Sequence, residues 1–388
     1  MDETTLLNLR KFLAPEIVYG QGALELCGRH AKNFGAAKVL IVTDPGVQAA
    51  GWAGRVEQSL HEAGIEHVVF NALTANPKDV EVMAGAAVYQ SENCDVIIAV
   101  GGGSPMDCAK GIGVVTGNPG HILDFEGVDA ISNPGPPMIF VPTTAGTSAD
   151  VSQFAIITDT IRHVKIAIVS KMVIPDISLV DPEITITMPP ELTASTGMDA
   201  LCHAFEAYVS TASSPLTDMA ALKAVQLVND YLADAYTDPG NRVARDKMMT
   251  ASLMAGLAFS NASLGLVHAM AHSLGGALDL AHGECNAILL EQVVLYNYET
   301  APAKYDDLAR AMRLDIDVID QDKRASALAQ AICVLRKHLD ITQRLKDMGV
   351  VLTDIALLAS FAAQDPCLAT NPRPATPEEI EKIYMQVF

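Results

Sequence analysis

DVIIAVGGGSPMDCAKGIGVV, residues 95–115, decides the fold of this chain: a short apolar run enters three successive glycines and leaves them as a helix. Val96 to Val100 show no polar alternation, the pattern of a strand covered on both faces. Ser104 is placed as the helix N-cap, Pro105 as the first helical residue, and Asp107, three positions after the cap, to return a capping-box bond. Gly101, Gly102 and Gly103 let the main chain take unusual dihedrals and approach a ligand. The free amides and dipole at the helix start then favour an anion, most naturally a pyrophosphate. Glycines at such a turn also occur for structural reasons alone, and GGGSP is not the GxGxxG fingerprint.

The same character repeats on both sides. KVLIVTD (38–44), HVVF (67–70) and MIFVPT (138–143) read as buried strands, and GWAGRVEQSLHEAG (51–64) and DVEVMAGAAVYQSE (79–92) as helices between them. Strand–helix alternation implies a Rossmann-like parallel sheet with helices on both faces. Asp44 ends the first of these strands. A carboxylate there can accept from both hydroxyls of an adenosine ribose and repel a 2′-phosphate, and a helix cap in TDPG is compatible with that role. Thr143, Thr144 and Thr147 in PTTAGTSAD (142–150) offer hydroxyls at another strand end. Beyond Thr144, SQFAIITD and HVKIAIVS suggest a hairpin around TIRH, and ISLVDP a last strand. The Pro-rich NPGPP (133–137) reads as a loop. From MPPELTAST (188–196) the pattern is helical to the end. The expectation is an α/β dinucleotide-binding domain over 1–185 and an all-helical domain over 186–388.

Within the helical half, TGMDALCHAFEAY (196–208) and LVHAMAHSLGGALDLAHGE (266–284) carry the chemistry. Asp199 and His203 stand four apart, as do His268 and His272, so each pair shares one helical face. His282 follows in AHGE, a polar break from which it can swing in as a further ligand. One carboxylate plus imidazoles suits iron(II) or zinc(II) and not calcium or magnesium. Burying these groups among Ala, Leu and Met costs several kcal/mol unless something coordinates them. Spacing alone leaves open which of the histidines bind. His30, His61, His67, His121 and His163 lack such partners and read as ordinary core or surface residues.

Composition bounds the function. At 388 residues, 50% hydrophobic and 19% charged, the chain fits two domains with substantial cores. A formal net charge of −20 tells against nucleic acid or an anionic membrane as partner, because both need basic patches, and points to a small-molecule substrate. Seven scattered cysteines with no CxxC pair indicate a reducing compartment. The start, MDETTLLNLRKF, has no signal-peptide core, and the apolar runs are too short for a bilayer, so a cytoplasmic protein is expected.

Taken together, GGGSPMDCAK, PTTAGTSAD, TGMDALCHAFEAY, and NASLGLVHAMAHSLGG followed by HGECNAILL resemble the iron-containing (group III) alcohol dehydrogenases, a family that includes lactaldehyde reductase and 1,3-propanediol dehydrogenase. The resemblance runs from PEIVYGQGAL (15–24) to CLATNPRP (367–374). It implies the dehydroquinate synthase-like architecture and an NAD(H)-linked hydride transfer on a small primary alcohol or aldehyde. It implies that Asp199, His203, His268 and His282 hold the metal, with His272 beside nicotinamide and substrate as a proton relay. Asp44, Asn76, Gly102, Gly103, Ser104, Asp107, Thr143, Thr144, Thr147 and Lys165 fall where the family binds the dinucleotide. Phe154, Phe259 and Cys367 fall near its substrate pocket, and a homodimer or larger homo-oligomer is implied. Lactaldehyde reductase has Asn where Phe154 aligns, which tells against a diol-aldehyde substrate, and Asp44 favours NAD over NADP. The rival readings are a glycerol dehydrogenase-like polyol oxidoreductase, a dehydroquinate synthase-like lyase, a metallohydrolase with an idle glycine loop, and a non-catalytic metal sensor.

Overall fold

A computed structural model describes residues 9–388; the first eight residues, MDETTLLN, which open the stretch MDETTLLNLRKF, lie outside the described residues. The strands are β1 (Glu16–Tyr19), β2 (Lys38–Val42), β3 (Glu66–Phe70), β4 (Val96–Gly101), β5 (Gly127–Val128), β6 (Met138–Pro142), β7 (Phe154–Asp159), β8 (Val164–Val169) and β9 (Ile177–Val180). Six of them form one sheet in the order β1-β9-β6-β4-β2-β3, every neighbouring pair parallel. β4 and β6 lie at its centre and are buried at every position, as their unbroken apolar runs require. Two separate apolar cores cover the two faces, one around Ile97, Phe140 and Ile112, the other around Ile98, Val141 and Leu60. β7 and β8 form the expected hairpin, antiparallel with Thr158 opposite Lys165, and β5 joins β8 in a second, three-stranded sheet.

Three details differ from the sequence expectation. EIVY forms β1, an edge strand on β9 with a half-exposed pattern that carries no alternation to announce it. β2 stops at Val42, two residues early, because Asp44 turns to cap the next helix. The helix after the glycines runs Gly103–Gly117, so Gly102 takes the N-cap position and Ser104 lies inside the first turn; neither the Ser104 cap nor the Asp107 capping box forms. The reason is the backbone of Gly102, extended at φ −87° and ψ −154°, which lets the helix begin two residues sooner. Nor do the three glycines take positive φ. Small size is what they supply: a Cβ on Gly101 would lie 2.4 Å from Pro105 Cγ, and one on Gly102 would lie 3.1 Å from the Thr144 side chain.

After Val180 no strand occurs among the described residues. Helices Pro190–Val209, Pro215–Thr237 and Arg242–Ala262 pack together, His282–Asn297 packs on the first of them, and Leu266–Leu278 packs on His282–Asn297. From Met198 to Val209 that first helix is buried on all sides, which its Ala-rich sequence allows. No single described helix is long and apolar enough to cross a membrane. The helices 242–262 and 266–278 meet at 98°, and this bend aims the start of the second at Asp199 and His203.

Candidate metal centre and dinucleotide cleft

Asp199 Oδ1 is the point on which the imidazoles converge. His203 Nε2, one turn along the same helix, lies 3.8 Å from it; His268 Nε2 lies at 3.6 Å and His282 Nε2 at 3.7 Å. Four donors about 2.1 Å from a tetrahedral ion stand roughly 3.4 Å from one another, so the spacing fits such an ion. Asp199, His268 and His282 also have their ligand atoms mutually within 4.8 Å, and His203 closes the set by stacking its ring on His268 at 4.6 Å. Gly283 makes the approach of His282 possible: a Cβ there would lie 2.4 Å from Ser195 O on the helix that carries Asp199. Asp199, His203 and His268 are almost wholly buried. Burial opposes the charge on Asp199, yet the imidazoles, His203 foremost, hold its carboxyl far below the usual range. Burial pushes His203 down to about 4 and His282 well below its ordinary value. For His268 burial acts in the same direction, but the carboxylates of Glu206 and Asp199 prevail and raise it to about 9.

His272 faces elsewhere. Its Nδ1 donates to Asp365 Oδ2 at 2.9 Å, while its ring stacks on His282 with centroids 5.3 Å apart. The structure thus separates one histidine from the four-donor point, a separation that spacing left open. Three further residues were not singled out from sequence. Glu206 Oε2 accepts from His268 Nδ1 at 2.6 Å, and its Oε1 accepts from the Val267 amide. Asn286 Nδ2 donates to Asp199 Oδ1 at 2.7 Å and lies 3.2 Å and 3.1 Å from His268 Nε2 and His282 Nε2. Asp365 fixes His272 and, through Oδ1, accepts from the Cys367 amide. A signal existed for two of them: Glu206 continues the Asp199–His203 face at i+7, and Asn286 stands four after His282.

A cleft of about 760 Å³ runs from Asp44 past the glycine loop to these histidines. It opens at the carboxyl ends of β2, β3, β4 and β6, where open α/β sheets bind ligands. Asp44, Asn76, Gly102, Gly103, Ser104, Asp107, Thr143, Thr144, Thr147 and Lys165 all line it. The Asp44 cap uses only Oδ1, which accepts from the Gly46 and Val47 amides at 2.8 and 2.9 Å. Lys165 Nζ donates to Asn76 Oδ1, and Asn76 Nδ2 donates to Asp279 Oδ1 across the cleft. Asp107 does not cap; burial raises it to about 6 against the pull of Lys110, whose own value burial lowers to about 8. Phe154, Phe259 and Cys367 line the end near the histidines, with Phe259 stacked on His203 at 4.3 Å.

Comparison with known proteins gives this geometry a family. A family profile described as iron-containing alcohol dehydrogenase matches residues 14–182, and one for the C-terminal part of the Fe-containing alcohol dehydrogenase family matches residues 193–388. The chain belongs to the iron-containing alcohol dehydrogenase family. This alcohol dehydrogenase is 42% identical to a 1,3-propanediol dehydrogenase of Klebsiella pneumoniae, covering 97% of this chain and 98% of that protein. It is 36% identical to a lactaldehyde reductase of Escherichia coli over 94% of this chain and 96% of the relative. Its fold superposes on a crystal structure of 1,3-propanediol oxidoreductase with a TM-score of 0.95 at 41% identity, covering 98% of this chain and 100% of the other. The resemblance read from the motifs therefore holds, the enzyme is an oxidoreductase of the alcohol dehydrogenase type, and the lyase, hydrolase and sensor readings are not favoured.

Proposed function

We propose that the enzyme interconverts a small primary alcohol and its aldehyde with NAD(H), at a divalent ion held by Asp199, His203, His268 and His282. The observation that carries this reading is the convergence of three imidazole Nε2 atoms within 3.6–3.8 Å of Asp199 Oδ1, at one end of the cleft that the glycine loop lines. Iron(II) is the ion the family implies, and zinc(II) is the other that a carboxylate–imidazole set suits. When bound, the ion supplies Lewis acidity toward the substrate oxygen and the nicotinamide supplies or accepts the hydride.

The protein's own groups do the rest. The first-turn amides of helix 103–117 and the hydroxyls of Thr143, Thr144 and Thr147 hold the pyrophosphate. Asp44 accepts from the adenosine ribose and repels a 2′-phosphate, favouring NAD over NADP. Asn76, Asp107 and Lys165 line the path between. Phe154, Phe259 and Cys367 hold the substrate carbon chain and keep water away. His272, anchored through Nδ1 by Asp365, presents Nε2 to the cleft and carries the proton between substrate and solvent. Residues 1–185 form the dinucleotide-binding unit and 186–388 the metal-binding and catalytic one. A homodimer or larger homo-oligomer follows from the family, and seven unpaired thiols support a cytoplasmic setting.

The test is a panel of short aldehydes and alcohols with NADH or NAD, after anaerobic loading with iron(II) or zinc(II). Metal-dependent turnover with NAD(H) exceeding NADP(H) is expected; no turnover with either ion would overturn the reading.

A further inference from the structure

We infer that the substrate is a primary alcohol or aldehyde whose carbon chain bears no second hydroxyl. This rests on the alcohol dehydrogenase reading above and concerns the wall beside the four-donor point. The segment 148–154 leads from the threonine-rich loop into β7 and is rich in polar side chains. Each of them is hydrogen-bonded within the protein. Ser148 Oγ donates to Ser252 O at 2.6 Å, and Ser178 Oγ donates to Asp150 Oδ2 at 2.6 Å. Lys110 Nζ donates to Ser152 Oγ at 3.1 Å, and Gln153 Nε2 donates to Ser260 O. All four residues are at most 5% exposed. What the segment presents to the cleft is Ala149, Phe154 and Ser152, whose hydroxyl oxygen is already engaged by Lys110 Nζ.

The opposite side matches. Phe259 lies 5.9 Å from Phe154, ring centre to ring centre, and Leu264 and Cys367 continue the surface. Burial pushes the Cys367 thiol up, so it stays neutral. The polar atoms nearby have other tasks: Lys165 Nζ is bonded to Asn76 Oδ1 at 2.8 Å, and His272 Nε2 is reserved for the reacting oxygen. A second hydroxyl that enters between Phe154 and Phe259 gives up its water against two phenyl rings, whereas a methyl or methylene packs on them.

1-Butanol and 1,3-propanediol make the decisive pair, because they differ only by a terminal methyl in place of a hydroxyl. With the metal-loaded enzyme and NAD, kcat/KM for 1-butanol should exceed that for 1,3-propanediol by about 10–100-fold, the range over which an apolar pocket discriminates against an added hydroxyl. The aldehydes butanal and 3-hydroxypropanal with NADH should show the same order. Phe154→Asn, which returns a hydrogen-bonding group to the wall, should narrow the ratio while NADH binding is retained. A wild-type enzyme that uses the diol as well as or better than 1-butanol overturns the inference and leaves the alcohol dehydrogenase reading intact. A wild-type preference that is unchanged in a folded Phe154→Asn variant overturns the role given to this wall. Absence of turnover with all four compounds overturns the underlying reading, and the inference with it.

Discussion

His268 and His272 stand one helical turn apart and answer to different carboxylates. Glu206 holds His268 through Nδ1 and thereby aims Nε2 at Asp199; Asp365 holds His272 through Nδ1 and turns it out of that set. Such outer partners commonly contribute 10- to 100-fold to metal affinity. Glu206→Gln keeps the shape but weakens the bond, so chelator competition should show metal affinity falling by about that factor; undiminished retention would reduce Glu206 to a helix-packing residue. His272→Ala should keep its metal and lose about 10²–10⁴-fold in turnover, the range for a general acid–base group. Metal loss matching that of His268→Ala would instead make His272 a ligand. Asp44→Gly should raise use of NADPH relative to NADH by about 1–3 kcal/mol, read from the ratio of kcat/KM values, because a charge-assisted contact and a repulsion vanish together. The donor residues were legible because i, i+4 pairs lie on one face. The roles of Glu206 and Asp365 were not, since their bonds span 62 and 93 positions of sequence that periodicity does not connect.

At the scale of elements, the strand–glycine–helix unit at 96–117 shows what a pattern does and does not specify. The central strands were readable because parallel strands buried on both faces must be apolar throughout. The edge strand β1 was not, because half-exposed EIVY carries neither alternation nor an unbroken apolar run. The helix start moved by two residues for a reason invisible in residue preference: Ser104 is an excellent cap, but the backbone of Gly102 already begins the turn. That shift leaves the first-turn amides free for a ligand instead of satisfying them with a serine hydroxyl. The loop is correspondingly intolerant of bulk. A Cβ at Gly101 would lie 2.4 Å from Pro105 Cγ and 2.8 Å from Pro105 Cβ, atoms of a rigid ring in the first turn. Gly101→Ala should therefore lower stability by about 1–3 kcal/mol through overpacking and weaken NADH binding, with metal content kept. Fluorescence titration with NADH and a thermal melt check this; an unchanged affinity would detach the loop from the dinucleotide.

In the whole molecule, the cleft depends on two bodies of structure that contribute different chemistry to one place. The glycine loop, Asp44 and the threonines lie at the carboxyl ends of parallel strands; Asp199 and the histidines lie on helices from Pro190 onward. Several bonds between the two bodies run outside the four donors: Ser148 to Ser252, Gln153 to Ser260, and Asn76 to Asp279. The dinucleotide end thus keeps its shape when a donor is removed. His268→Ala and His282→Ala should lose the metal and the activity yet bind NADH with nearly unchanged affinity. His282 is the sharper case, since it opens a helix only three residues after Asp279, the partner of Asn76 on the cofactor side. Elemental analysis and NADH titration on the same preparations separate the outcomes. If NADH affinity falls together with metal content in His268→Ala, which is remote from that bridge, the two ends of the cleft are coupled, and the division of labour between sheet and helices proposed here does not hold.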